Sequence, residues 1–353
     1  MKCVYCGKYC GLFKNEHDRC RLLAGQGKKY LRECIDYIYE NRDCMNIAEV
    51  IRDTVSRHKI PAAMAKKLFL ECWNAKVLAA FDDGVLEADE IRILGQMVAA
   101  LEIGPAELAG SAQWQRLVVH ARKDISEAVD AAFCGGDFAS LKQRVGAIAG
   151  AYGFSPAITK KLLLECWEKF LDKVLEDKLL EKDEETLLTQ LTKALALEEA
   201  DVAPYRVKIV RAAILREVLN GIIPKRFKTN RPLRVALQKN ETVIWVSRRV
   251  PACEAAPGSS GGGASAGTGV RGPAGIAETA RIGSGDLIIT DLNIFWASPS
   301  QTIKIPVMKL ASVIADSRGV TLLEGGATAR SVTFRVDDPW FISNLARNLH
   351  LLH

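Results

Sequence analysis

Four of the first 20 residues carry metal-ligand chemistry at close spacing. Cys3 and Cys6 stand two residues apart, and His17 and Cys20 repeat that interval, giving Cys3-x2-Cys6-x10-His17-x2-Cys20. Thiolates separated by two residues form a knuckle that can set both sulfurs on one ion, and a second close pair completes a tetrahedron. Sulfur and imidazole donors in a closed set of four suit Zn²⁺ in a structural role, because no coordination position is left for a substrate. Gly7 and Gly11 supply the backbone freedom that so small a loop requires. A segment of about 20 residues cannot bury enough apolar surface to fold alone, so metal binding supplies its folding free energy. Cys10 is a rival ligand at this stage, and Cys34 or Cys44 remain possible entrants. The competing reading is a set of unrelated free thiols.

Two further clusters bear weighing. Asp82, Asp83, Glu87, Asp89 and Glu90 recur as Glu176, Asp177, Glu181, Asp183 and Glu184, an acidic helix-to-helix turn in duplicate. Asp83 and Glu90 are the candidates for a second cation of the hard, oxygen-seeking kind. The turns lack the alternating ligands of an EF-hand loop, and acidic residues at a helix start are also favoured as caps and by the helix dipole. The basic joint Pro224-Lys225-Arg226-Phe227-Lys228, continuing to Arg231 and Arg234, offers Lys225, Arg226, Lys228 and Arg231 as candidate anion ligands. Solvated side chains after a helix explain it equally well.

No catalytic constellation emerges. Cys72 and Cys166 each precede a tryptophan within an apolar helical pattern and read as core. His58, His120, His350 and His353 show no nearby nucleophile or carboxylate in the sequence, and Gly261-Gly262-Gly263 lacks the Gly-Lys-Ser/Thr ending of a phosphate loop. The expectation is a protein that is not an enzyme.

The elements that carry these residues fall into an ordered series. Lys66-Lys67-Leu68-Phe69-Leu70-Glu71-Cys72-Trp73 returns as Lys160-Lys161-Leu162-Leu163-Leu164-Glu165-Cys166-Trp167, an offset of 94 residues that the acidic turns also keep. Leu70, Trp73, Val77 and Phe81 sit at helical spacing, matched by Leu164, Trp167, Leu171 and Leu175. Leu94, Met97 and Leu101 answer Leu188, Leu191 and Leu195, while Ile47, Ile51 and Val55 answer Leu141, Val145 and Ala149. Each copy should therefore form a small helical bundle.

After the joint the pattern turns to β. Strands are expected at 241–246, 287–290, 294–296, 302–305, 320–323 and 331–336, with a Gly/Ser/Ala-rich loop at 257–275. Asp338-Pro339 supplies an N-cap and a first-turn proline for a closing helix that carries Phe341, Leu345, Leu349 and Leu352 on one face. The resulting organisation is multidomain: a zinc module at 1–22, helical repeats at 24–134 and 135–222, a basic linker at 223–231, and a small α+β domain at 232–353.

Composition sets the outer limits. A chain of 353 residues with 48% hydrophobic and 25% charged residues suits two to four soluble domains. No apolar run approaches the roughly 20 residues of a membrane span, and MKCVYCGK is unlike a signal peptide. A cytoplasmic protein is expected, with clustered thiols favouring metal over disulfide. A net charge of +6 permits an acidic partner without demanding one.

Three family resemblances follow from these residues. Residues 3–20 look like a short bacterial zinc-ribbon or zinc-knuckle module, with ligands falling on Cys3, Cys6, His17 and Cys20. The helical copies resemble TerB-like, tellurite-resistance-associated domains through Asp83-Gly84-Val85-Leu86 with Glu90, and through Asp177, Leu180 and Glu184. That resemblance implies a metal-binding acidic turn, from which the second copy departs by placing Lys178 where the first has Gly84. The C-terminal region is similar to bacterial pleckstrin-homology-like or GRAM-like domains in Gly285-Asp286-Leu287-Ile288-Ile289-Thr290-Asp291-Leu292-Asn293-Ile294-Phe295-Trp296, in Lys304-Ile305-Pro306 and in the Asp338-Pro339-Trp340-Phe341 helix start. It implies a seven-stranded barrel capped by that helix. Together these point to a zinc-containing bacterial scaffold that binds protein partners, linked to metal or envelope stress and possible at the inner membrane face. The alternative is a binder of nucleic acid or anionic membrane through the zinc module and the 225–234 segment.

Overall fold

The computed structural model describes residues 1–43, 46–227, 231–255, 279–317, 319–326 and 330–353. The Gly-rich stretch expected as a loop at 257–275, Cys44 and Lys228 lie outside the described residues. Contacts divide the chain into two compact units, Met1–Leu171 with Leu187–Asp201, and Asp172–Thr186 with Val202–His353.

The helical region runs α1 (Asp18–Asn41), α2 (Ile47–Arg57), α3 (Ala62–Ala80), α4 (Ala88–Ala100), α5 (Pro105–Ala109), α6 (Ala112–Gly135), α7 (Leu141–Ala151), α8 (Pro156–Val174), α9 (Lys182–Ala194), α10 (Glu199–Val202) and α11 (Arg206–Leu219). The 94-residue offset recovers every start. Helices α1 to α5 begin 94 residues before α6 to α10 in turn, and α6 begins 94 residues before α11.

Turn chemistry repeats in the same register. Left-handed backbone falls at Arg42 and Gly136, Lys59 and Gly153, Gly84 and Lys178, and Glu102 and Ala196. Lys66 pairs with Glu107 at 3.1 Å, and their counterparts Lys160 and Asp201 pair at 3.0 Å. Trp73 is fully buried and its indole N–H donates to the Leu94 carbonyl at 3.0 Å. In the second copy Trp167 donates to the Thr192 hydroxyl at 2.9 Å, which donates to the Leu188 carbonyl at 2.7 Å. The indole thus reaches the register-equivalent carbonyl through a relay, because a buried Trp N–H must find a partner.

Within the first unit, α6 serves both copies. Trp114, Leu117 and Ala121 belong to the core formed with α1 to α4, where Trp114 lies 6.1 Å from Trp73. Farther along, Phe133 meets Phe170 of α8 edge-on at 5.0 Å. Helix α4 comes so close to the end of α7 that a Cβ on Gly95 would lie 2.3 Å from the Ala151 carbonyl oxygen. Only glycine permits that approach.

In the second unit, β1 (Val243–Ala255), β2 (Thr279–Thr290), β3 (Asn293–Ala297), β4 (Thr302–Pro306), β5 (Leu310–Asp316), β6 (Gly319–Glu324) and β7 (Ser331–Phe334) form one antiparallel sheet in the order β4-β3-β2-β1-β7-β6-β5. Among the described residues there are seven strands, one more than the six read directly from the residues, and the sheet is open, with β4 and β5 as its two edges rather than the closed barrel expected. Strand β5 was absent from the sequence reading. Of its seven residues only Val313 is buried, so it lacks the apolar alternation that marks a strand. The sheet core gathers Trp296, Phe334, Phe341 and Leu345 with Ile214 and Val218 from α11. The closing helix α12 (Pro339–Asn348) starts as expected, with the Asp338 carboxylate accepting from the Phe341 N–H at 2.9 Å. The described part is therefore a helix-rich N-terminal region followed by a mixed C-terminal region of open sheet and terminal helix.

Candidate metal centre

Local geometry brings the N-terminal ligands together in two steps. An isolated antiparallel bridge joins Lys2 and Tyr9, and the Cys3 N–H donates to the Lys8 carbonyl at 2.8 Å, folding the first knuckle back on itself. Gly7 takes a left-handed φ of 70° at that bend. The second pair is set by α1. His17 is its N-cap residue but makes no side-chain cap bond, and Cys20 lies in the first turn. Positions three apart share a helix face, so imidazole and thiol point the same way.

The four donor atoms of Cys3, Cys6, His17 and Cys20 lie within 4.8 Å of one another. His17 Nδ1 is 3.5 Å from Cys6 Sγ and 3.9 Å from Cys20 Sγ. Those separations approach the tetrahedron edges of roughly 3.5–3.8 Å that zinc–sulfur and zinc–nitrogen bonds produce. His17 Nε2 lies 3.0 Å from the Tyr9 carbonyl oxygen. A carbonyl can only accept, so Nε2 carries the proton and Nδ1 offers its lone pair to the cluster. No sequence pattern signals this outer bond.

The titration of the group reflects the crowding of its donors. Burial pushes the Cys3 thiol up, but backbone N–H groups around Cys6, Tyr5 and His17 overcome it and bring the thiol down to about 6. Burial and the neighbouring Cys6 and Cys3 sulfurs push Cys20 up to about 11. His17 is raised by hydrogen bonding to Cys3, the Tyr9 carbonyl and Cys6. A divalent cation bound by these donors would displace the thiol protons, because the thiolate is the ligating form.

The rival ligands fall elsewhere. Cys10 directs its sulfur at the carbonyl oxygens of Lys14 (2.8 Å) and Met1 (3.4 Å), away from the cluster. Cys34 packs against the helical core. The acidic turns are occupied by their own backbone: Asp83 accepts from the Val85 N–H at 2.9 Å, as Asp177 does from Leu179. Glu90 accepts from the Glu87 N–H at 3.3 Å, from the Tyr39 hydroxyl at 3.1 Å and from Arg42 at 3.4 Å. Among the described residues, the Cys3 group is the one cluster of His, Cys, Asp and Glu donors with three or more members in metal-holding reach.

In the basic joint, Arg226 is held by Glu185 and by Glu217 at 2.7 Å, beside the buried Arg216. Its guanidinium completes a structural network, while Lys225 and Arg231 are exposed. His120, read from sequence as lacking a partner, lies 2.6 Å from the Tyr152 hydroxyl and 3.5 Å from Asp124, and the hydroxyl donates to Asp124. His58, His350 and His353 each approach backbone carbonyls instead.

No helix among the described residues is long and apolar enough to cross a membrane. No known protein family, curated protein or solved structure matches this chain.

Proposed function

We propose that this chain is a zinc-containing interaction protein with no enzymatic activity, in which Cys3, Cys6, His17 and Cys20 hold one structural Zn²⁺. The observation that carries the reading is the Nε2 contact of His17 to the Tyr9 carbonyl at 3.0 Å, which fixes the tautomer that aims Nδ1 at three thiols. With all four positions filled by protein, the ion supplies folding energy rather than Lewis-acid chemistry.

The remaining modules supply surfaces. The two helical copies, read as TerB-like, act as spacers, and the open sheet with its closing helix, read as PH-like, acts as a docking domain for protein partners. What supports this division is the 94-residue recurrence of helices, turns and ion pairs, together with seven antiparallel strands followed by one helix. The TerB resemblance ties the reading to metal or envelope stress in a bacterial cytoplasm, a reducing setting that keeps the thiols available. Nucleic acid or anionic membrane as the partner has less to rest on, since Arg226 of the basic joint is already engaged by two carboxylates.

Cobalt(II) replacement tests the coordination. Purified protein loaded with Co²⁺ is expected to show intense tetrahedral d–d absorption and sulfur-to-cobalt charge transfer, with the charge-transfer band reduced in Cys6→Ser. Weak octahedral absorption, unchanged by Cys6→Ser, would remove the proposed site.

A further inference from the structure

In the second unit, a cavity of about 370 Å³ opens between α11 and the start of α12. Lys178, Lys208, Arg211, Asp338, Trp340 and Phe341 are prominent in its lining. That volume lies within the range of small-molecule sites, which are largely apolar with a few convergent polar groups. We propose that this cavity binds an organic monocarboxylate carrying a flat apolar body such as a phenyl ring.

Three observations lead there. The first is the register comparison between copies. Lys208 and Arg211 occupy the positions that Trp114 and Leu117 hold 94 residues earlier, where both are core. The second copy thus replaces two core side chains by two cations, and those cations line a cavity. The second is charge. Asp338 pairs with Arg211 at 3.1 Å and Asp172 with Lys208 at 2.6 Å, whereas Lys178 has no carboxylate partner among the described residues. One uncompensated positive charge matches one carboxylate. The Arg211 Nε is buried with no hydrogen-bond acceptor, a donor that a ligand oxygen would satisfy.

The third is the placement of Lys178. It adopts a left-handed φ of 63°, at the turn position where the first copy has Gly84. A side chain there costs conformational energy that glycine avoids. Its ammonium is held 4.3 Å from the centre of the Trp340 ring, while the Arg211 guanidinium stands 5.5 Å from the Phe341 ring. Aromatic walls topped by cations suit a ligand with a ring at one end and a carboxylate at the other.

The test is calorimetric titration of the zinc-loaded 353-residue chain with N-acetylphenylalanine, its uncharged amide, and acetate. Saturable binding of the acid is expected, with the amide about tenfold weaker and acetate undetectable. Lys178→Gly restores the residue of the first copy at a backbone angle that favours it, so this variant should melt no lower than wild type yet bind the acid about tenfold more weakly. Trp340→Ala, at a residue 38% exposed, should weaken both ring-bearing probes alike. Equal affinity for acid and amide, no saturable binding of the acid, or unchanged binding by Lys178→Gly would each overturn the proposal.

Discussion

The N-terminal module and the C-terminal sheet hold themselves together by different means. The sheet buries Trp296, Phe334 and Phe341 to 2% exposure or less and packs two helices against them. The module buries the side chain of Cys3 but leaves Phe13 97% and Leu12 74% exposed. Tyr5 packs against the helical core, but the module has no apolar core of its own, so the proposed ion would supply most of its order, whereas the sheet's core needs none. Size explains the contrast: apolar burial scales poorly in very short segments, and the proposed zinc would substitute for it.

The largest effect expected from this difference is on the module. Structural zinc in comparable small peptides contributes apparent binding free energies of about 10–16 kcal/mol. Stripping the ion with a chelator should abolish hydrogen-exchange protection at the Cys3 and Gly7 amides, both internally bonded at 2.8 Å, and leave protection in β1 to β3 intact. Loss of protection in both regions together would break the comparison.

The reciprocal change is Phe334→Ala in the sheet. Removing a ring 1% exposed should cost about 3–5 kcal/mol, read by denaturant unfolding. Zinc content should be unaffected.

A smaller effect separates apolar burial from charge within the second unit. Glu185 faces Arg226 and Arg216, and Glu185→Gln leaves those cations with Glu217 alone, at about 1–3 kcal/mol. Burial pushes the Glu185 carboxyl up, but Arg226 and Arg216 outweigh it and hold it below the usual carboxylate range. A depressed folded pKa gives stability that is present above the unfolded value of 4.5 and lost as pH falls through the folded value. Acid unfolding curves of wild type and Glu185→Gln should therefore stay apart at neutral pH and converge as pH falls through the depressed folded value, which lies below 4.5. A constant gap across that range would assign the loss to packing instead.

What the sequence disclosed follows the range of each interaction. The cysteine spacing was legible because knuckle and helix turn are local. The repeat was legible from the octamer that recurs at Lys66 and Lys160, and its register carried back to Ile47 and Leu141. The equivalence of α1, α6 and α11 was not, because Leu31, Ile125 and Leu219 share only a helix face and no motif. The capture of Arg226 by Glu185, 41 residues away, depends on tertiary placement that no window detects. The same holds for the Tyr9 carbonyl beside His17, and for an edge strand such as β5 whose residues mostly face outward. Whether the sheet closes depends on pairing between its terminal strands β4 and β5, for which composition gives no signal.

The most direct measurement is elemental analysis of protein purified under reducing conditions, beside a Cys3→Ser/Cys6→Ser variant. About one zinc per chain in the wild type, lost in the variant, is the predicted result. A wild type without stoichiometric zinc, or a variant that retains it, would contradict the account.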